Sequence, residues 1–240
     1  MLFDLRGRGR RRAIQVIYLT LAVLIGGGLV LFGIGGATSG GLVDAISQNG
    51  GQSVDDTAKK NADSAERRTK ANPRDAKAWA DLARARFQQA GAGDNFDRNS
   101  AQGFTPKGLE TLRVSTRAWE RHVALNPNKP DDQVASLMVQ AYSALKQFDK
   151  AVGAQEIVTE QRTPSTGLYS QLAAYAYQAG QTRKGDLAAQ RAVELAPKDN
   201  RTQVKAALES AKQQAAQQAV QDAQGAGGSG GTAAPAAPGG

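Results

Sequence analysis

The 240-residue chain contains no cysteine and one histidine, His122. Without thiols there is no disulfide framework, no thiolate nucleophile and no cysteine-held zinc or iron–sulfur centre. One imidazole also excludes a metal site built on two histidines. Histidine-dependent hydrolysis is left with a single candidate residue. The missing thiols say little about compartment, because such a chain tolerates oxidising and reducing surroundings alike. Aromatic residues make up only 5%, whereas the apolar fraction of 40% and the charged fraction of 22% are ordinary for a soluble domain. No segment sustains the apolar–polar alternation of a strand. A phosphate loop is absent too, and Gly33–Gly36 lacks the preceding strand that a dinucleotide fingerprint requires.

The charge that is present is unevenly placed. Arg6, Arg8, Arg10, Arg11 and Arg12 against Asp4 leave +4 in the first twelve residues, half of the net +8. The remaining excess is dispersed, which is a poor footprint for nucleic acid, since counterion release needs clustered cations. Glycine is equally uneven: ten of 27 lie between Gly26 and Gly51 and seven between Gly225 and Gly240. Neither stretch has the large side chains for a core, so the folded body is expected between them.

Residues 13–34 (AIQVIYLTLAVLIGGGLVLFGI) carry no charge. As a helix this run rises about 33 Å, enough for a hydrocarbon layer of about 30 Å. The sequence predicts a single-pass transmembrane helix. The arginines precede it, and acidic Asp44, Asp55 and Asp56 follow, so the positive-inside bias puts the N-terminus in the cytoplasm and the body on the extracytoplasmic side of an inner membrane. A cleavable signal peptide is the competing reading, with Gly35 and Ala37 as cleavage-site residues. The apolar run exceeds the roughly 7–15 residues of a signal core, which favours the anchor. Gly26, Gly27 and Gly28 are tolerated in lipid and would permit close approach of a second helix.

Residues 35–52 read as a flexible glycine-rich linker. Beyond them, alanine, leucine, glutamine, lysine and arginine dominate, with apolar positions three and four apart. Prolines 73, 106, 127, 130, 164 and 197 punctuate the pattern. The body, residues 53–223, is predicted to be all-α. Its helices recur. Tyr169, Leu172 and Ala173 on one helix are followed by Ala189 and Ala192 on the next, then Pro197. Thirty-four residues earlier the same register holds Ala135, Met138, Val139 and Tyr142, then Phe148 and Ala151, with Pro164 near the end. Upstream, Trp79, Leu82 and Ala83 open a further helix, and Trp119 stands eight residues before Pro127.

This pattern resembles the tetratricopeptide repeat (TPR) family, whose mark is W-x₂-L-G-x₂-Y…A-x₃-F…P over 34 residues. The resemblance implies an α-α superhelix of about three helix pairs, near 75–127, 131–164 and 165–197. A preceding helix over 53–71 and a polar capping helix over 199–223 would close its ends. Residues 224–240 are expected to be a disordered Ala/Gly/Pro tail. There are departures: Gly185 stands where the family has alanine, His122 takes another small-residue position, and the first repeat carries about 20 extra residues near 91–106.

The resemblance also implies a recognition groove on the first helix of each pair. Its positions would fall on Lys77, Ala80, Arg84 and Gln88, then Gln133, Ser136, Gln140 and Ser143. In the third pair they would be Ser170, Ala174, Tyr177 and Gln178. The carboxylate clamp of some family members is not matched, because Ala80, Gly167 and Gln171 hold the corresponding places. The expected partner is a protein or peptide, and the expected function is that of a membrane-anchored adaptor accessory to translocation or chaperoning. A structural assembly subunit of an envelope complex, such as cytochrome maturation or a secretion apparatus, is the alternative.

No catalytic constellation, metal site or cofactor site is expected. His122 lies mid-helix in RAWERHVAL and reads as a packed side chain, and Asp131–Asp132 read as a helix cap. Asp94, Asn95, Asp97 and Asn99 could offer oxygens to calcium but lack EF-hand spacing, so turn formation is the simpler reading. Phe96 and Phe104 are expected to fold the insertion back onto the first repeat.

Overall fold

The computed structural model describes residues 51–97 and 103–227, and among them the fold is all-α. The helices are α1 Gly51–Ala71, α2 Ala76–Ala90, α3 Pro106–Leu125, α4 Asp132–Ala144, α5 Phe148–Gln161, α6 Thr166–Gln178, α7 Thr182–Leu195 and α8 Arg201–Gly227. One-turn 3-10 segments lie at Gly93–Asn95 and Lys198–Asn200. The expected anchor over 13–34, its arginine flank, linker residues 35–50 and tail residues 228–240 lie outside the described residues. Among the described residues no helix is long and apolar enough to cross a membrane. Two expected boundaries shift. The linker yields to α1 at Gly51 instead of Ser53, and α8 continues through Gly227 past the expected start of the tail at Gln224. Glycine lowers helix propensity by only about 1 kcal/mol, so it frays an end without fixing where it stops.

The helix starts are set by short polar side chains. Asp75, Thr105, Asp131 and Ser165 accept from the backbone N–H three residues on, at Ala78 (3.1 Å), Gly108 (3.2 Å), Val134 (2.9 Å) and Leu168 (3.3 Å). Each such cap is worth about 1 kcal/mol. Pro106 opens α3, where its missing N–H has no partner to lose.

Helices α2 and α3, α4 and α5, and α6 and α7 pack as successive pairs, with α3 leading onto α4, α5 onto α6, and α8 laid across α6 and α7. The last two pairs repeat in detail at a spacing of 34. Caps Asp131 and Ser165 are equivalent. So are the turns, in which Gln147 N–H donates to Tyr142 O and Gln181 N–H to Ala176 O, both at 2.8 Å. The residue before each glutamine takes the left-handed conformation: Lys146 at φ 56° and Gly180 at φ 72°.

Alanine supplies most of the buried apolar side chains, which lets helix backbones approach closely, and the larger residues fill what remains. Leu82, Leu112, Trp119, Met138 and Tyr142 belong to one core spanning α1 to α5. Val152, Leu172, Tyr177 and Leu208 belong to a second, under α8. Tyr175 touches both, and burial there pushes its phenol up from the ordinary range. Ser115 replaces alanine at one close approach, its hydroxyl donating to Ala83 O at 2.6 Å. Helix α1 joins through Ala62 and Ala65, with Arg68 paired to Asp81 at 3.0 Å and Arg86 to Glu66.

The insertion closes as a small hairpin. Asp97 N–H donates to Gly103 O (2.7 Å), Thr105 N–H to Asn95 O (2.9 Å), and Phe96 meets Phe104 edge to face at 5.3 Å. Phe104 packs on the first core, as expected of a loop folded back onto the first pair. The single bridge between Phe96 and Phe104 is the only β-pairing among the described residues.

Candidate partner-binding surface

The residues implied as a groove occupy three helix faces, and the structure treats those faces differently. On α2, Lys77, Arg84 and Gln88 are seven and four residues apart and so share one side of the helix. Lys77 is exposed and pairs with Asp81 at 3.2 Å. Arg84 is half-buried and reaches Asp131 on the cap of α4 at 3.4 Å. Gln88 is exposed. Between α1 and α2, a shallow depression of about 240 Å³ lies between Asn61, Ser64 and Arg68 on one wall and Asp81, Arg84 and Gln88 on the other. Arg84 and Gln88 are therefore brought together there, whereas Lys77 sits beyond its edge.

On α4, Gln133 and Gln140 are exposed and Ser136 between them is half-buried, its hydroxyl donating to Asp132 O at 3.0 Å. These are uncharged amides and a hydroxyl, suited to hydrogen bonding with a peptide backbone. Ala80 and Ser143 are less available: Ala80 is buried and Ser143 half-buried.

On α6, Ser170 is half-buried, but Tyr177 is 7% exposed and faces α7 and α8. Its hydroxyl donates to Asp186 Oδ1 at 3.0 Å, and Lys212 pairs with the same oxygen at 2.7 Å while lying 5.8 Å from the ring centre. Burial first, and the Asp186 carboxylate second, push the phenol up from its ordinary range. Asp186 is held below the usual carboxylate range chiefly by its bond to Lys212, and Lys212 is correspondingly raised. Tyr177 thus ties helices together instead of presenting itself with Ser170.

A matching clamp joins the second pair to the first. Tyr142 donates to Glu120 at 3.2 Å, Lys150 pairs with Glu120 at 2.6 Å, and Lys150 lies 5.8 Å from the Tyr142 ring centre. Burial again raises the tyrosine. Neither clamp was legible in the sequence, because Glu120 and Tyr142 are 22 residues apart and lysine–carboxylate pairs are common at any spacing. Non-local links of the same kind join Arg162 to Asp132 (2.7 Å), Lys184 to Glu156 (2.6 Å) and the buried amide of Gln155 to Leu168 O (3.2 Å). Glu66 is lowered, first by its bond to Lys70 and then by Arg86.

The other sequence candidates have structural placements. His122 is buried. Its Nδ1–H donates to Ala76 O at 2.7 Å and its Nε2 accepts from Asp131 N–H at 3.0 Å, which fixes the tautomer and occupies both ring nitrogens. Asp131 caps α4 as expected. In the insertion Asn95 is buried with Nδ2 donating to Gln89 O at 2.9 Å, and Asn99 lies outside the described residues. Among the described residues no group of three or more acidic or histidine side chains is arranged to hold a metal.

The cleft outside Tyr177 was not foreseen. It measures about 550 Å³ between α7 and α8, with Val193 and Leu208 among its apolar walls and Lys205 and Glu209 on its α8 rim. No known protein-family model matches the chain, and no curated protein is significantly similar to it.

Proposed function

We propose that the chain is a TPR-like adaptor, anchored in the inner membrane by residues 13–34 and offering an α-α superhelix with a capping α8 to a protein or peptide partner at the extracytoplasmic face. The observation that carries this reading is the 34-residue equivalence of the Asp131 and Ser165 caps and of the 145–147 and 179–181 turns. A repeated pair stacks its first helices side by side, which generates an extended recognition face. Arg84, Gln88, Gln133 and Gln140 are polar, at least partly exposed, and chemically suited to hold an extended segment. The anchor would raise the local concentration of the adaptor near membrane-bound partners.

The test places a photo-crosslinking side chain at Gln88, Gln133 or Gln140 of the full chain in its native membrane, with exposed Arg113 on α3 as the control position. Crosslinks to many unfolded or nascent segments, absent at residue 113, are expected. One stoichiometric folded partner would instead favour the assembly-subunit role, and adducts no stronger than the control would remove the groove altogether. Cysteine introduced at Ser170 reports sidedness, because the chain has no other thiol. An impermeant maleimide should label it from outside the inner membrane.

A further inference from the structure

Helices α4 and α6 are almost free of charge. In α4 the one charged side chain is Asp132, which Arg162 of α5 pairs at 2.7 Å, and α6 has none. Their partner helices α5 and α7 carry four and five. Charge normally marks the solvated side of a helix, yet Gln133, Gln140 and Gln178 are exposed here with half-buried neighbours. On α4, Gln133, Leu137, Gln140 and Ala144 follow at spacings of four, three and four, so they share one side. Thirty-four residues on, Gly167, Gln171, Ala174 and Gln178 share the corresponding side of α6. In the repeat register each row sets one glutamine beside one small or apolar residue: Gln133 with Gly167, Leu137 with Gln171, Gln140 with Ala174, Ala144 with Gln178. Leu168 and Tyr175 of α6 pack on the core that holds Val134 and Met138 of α4, which keeps the two helices together. At the α2 end of the face the cations are already taken, Lys77 by Asp81 and Arg84 by Asp131.

We propose that this face binds an extended, uncharged segment of a partner protein, an inference that rests on the groove reading above and narrows it. The four rows cover about 16 Å of helix axis, the length of about five extended residues. A glutamine side chain offers a carbonyl and an NH₂ together, so it can bond both the N–H and the C=O of a passing main chain. A helical ligand would present no free main-chain groups to these amides, because its own ladder uses them. Leu137, Ala144 and Ala174 supply apolar ground between the amides, and Gly167 leaves room for a side chain of the segment. An acidic or basic side chain laid here would lose water and meet no opposite charge, because the charges at the α2 end are paired within the chain. The face discriminates by that exclusion as much as by its contacts.

The test immobilises the full chain in detergent and passes over it a library of short random peptides, acetylated and amidated so that their ends carry no charge. Retained peptides should be depleted in Asp, Glu, Lys and Arg by about tenfold against the input. Their retention should survive high salt, which screens ion pairs. Ala174→Lys puts one cation on the face and should lose these peptides while gaining acidic ones. Gln140→Ala, at an exposed side chain, should weaken retention with the helical circular dichroism unchanged. A retained pool rich in acidic or basic peptides and released by salt overturns the uncharged segment and leaves the adaptor reading standing. Neutral peptides held equally well by Ala174→Lys and Gln140→Ala overturn the assignment to this face. No retention at all removes the groove as a peptide site, and both readings with it.

Discussion

The Tyr177 ring lies so close over Gly185 that a Cβ at residue 185 would come within 2.5 Å of the ring's Cδ1. The ring cannot swing aside freely, because its hydroxyl is bonded to Asp186 and Lys212 lies against its face. Helix propensity alone favours alanine over glycine by about 1 kcal/mol. Overpacking costs about 1–3 kcal/mol and acts the other way. Gly185→Ala is therefore expected to destabilise the domain, and in a Tyr177→Ala background the same change should stabilise it. Urea midpoints of the four proteins decide this; a single Gly185→Ala variant more stable than the parent would show that the contact imposes nothing.

Lys146 occupies the position that Gly180 fills one repeat later, in the same turn and with the same left-handed backbone. A side chain there meets its own carbonyl, at a cost of about 1–2 kcal/mol, only part of which glycine loses through its freer unfolded chain. Lys146→Gly should raise stability by about 0.5–1 kcal/mol, and Gly180→Lys should lower it by at least as much. Thermal melts of the pair are expected to move in opposite directions, and a shared direction would mean the two turns are not equivalent.

The helices, the Asp131 cap and the repeat spacing were legible because each is written locally. Asp131 caps within three residues, and prolines fall between helices, whereas the Asp75, Thr105 and Ser165 caps went unread. The hairpin in the insertion was legible only as a fold-back, since the pairing of Phe96 with Phe104 depends on Gly103 at φ 71° turning the chain. What escaped was set by distant partners. Arg84 looks free for a ligand until Asp131, 47 residues on, comes within 3.4 Å. Tyr177 sits in register with Ser170, and only the glycine at 185 and the arrival of α8 turn it inward. Lone departures from the repeat pattern, such as Gly185 and His122, were the sequence's one signal of these places.

The Asp186–Lys212–Tyr177 clamp gives stability a dependence on pH at both ends. Asp186 is held below its ordinary range by Lys212 and then Tyr177, so its contribution is complete above the unfolded carboxylate value of about 3.9 and is lost as pH falls through the folded one. Lys212 is raised, so its contribution is complete below the unfolded value of about 10.4 and disappears as pH rises past the folded one. Asp186→Asn should lower the melting temperature near neutral pH and narrow the gap from the parent below about pH 4. A gap that stays constant from neutral pH into acid would mean that the charge of Asp186 is not what holds the clamp.

His122 joins three elements through two hydrogen bonds, and its ring stacks on Trp119 at 5.2 Å. The Ala76 carbonyl at the start of α2 and the Asp131 amide before α4 both depend on it. His122→Leu keeps the volume but offers neither bond. The loss should be about 1–3 kcal/mol, mostly from the stranded Asp131 N–H, since the Ala76 carbonyl keeps its place in the helical ladder of α2. The consequence reaches the proposed groove, because Asp131 also caps α4 and pairs with Arg84. Loosening Asp131 frees Arg84 without touching it. Amide exchange at Asp131 and Val134 is therefore expected to quicken in the variant more than exchange in α6 and α7. Partner binding that depends on Arg84 should change in His122→Leu and not in a variant equally destabilised at Leu172. Uniform quickening along the chain would mean that His122 contributes packing alone.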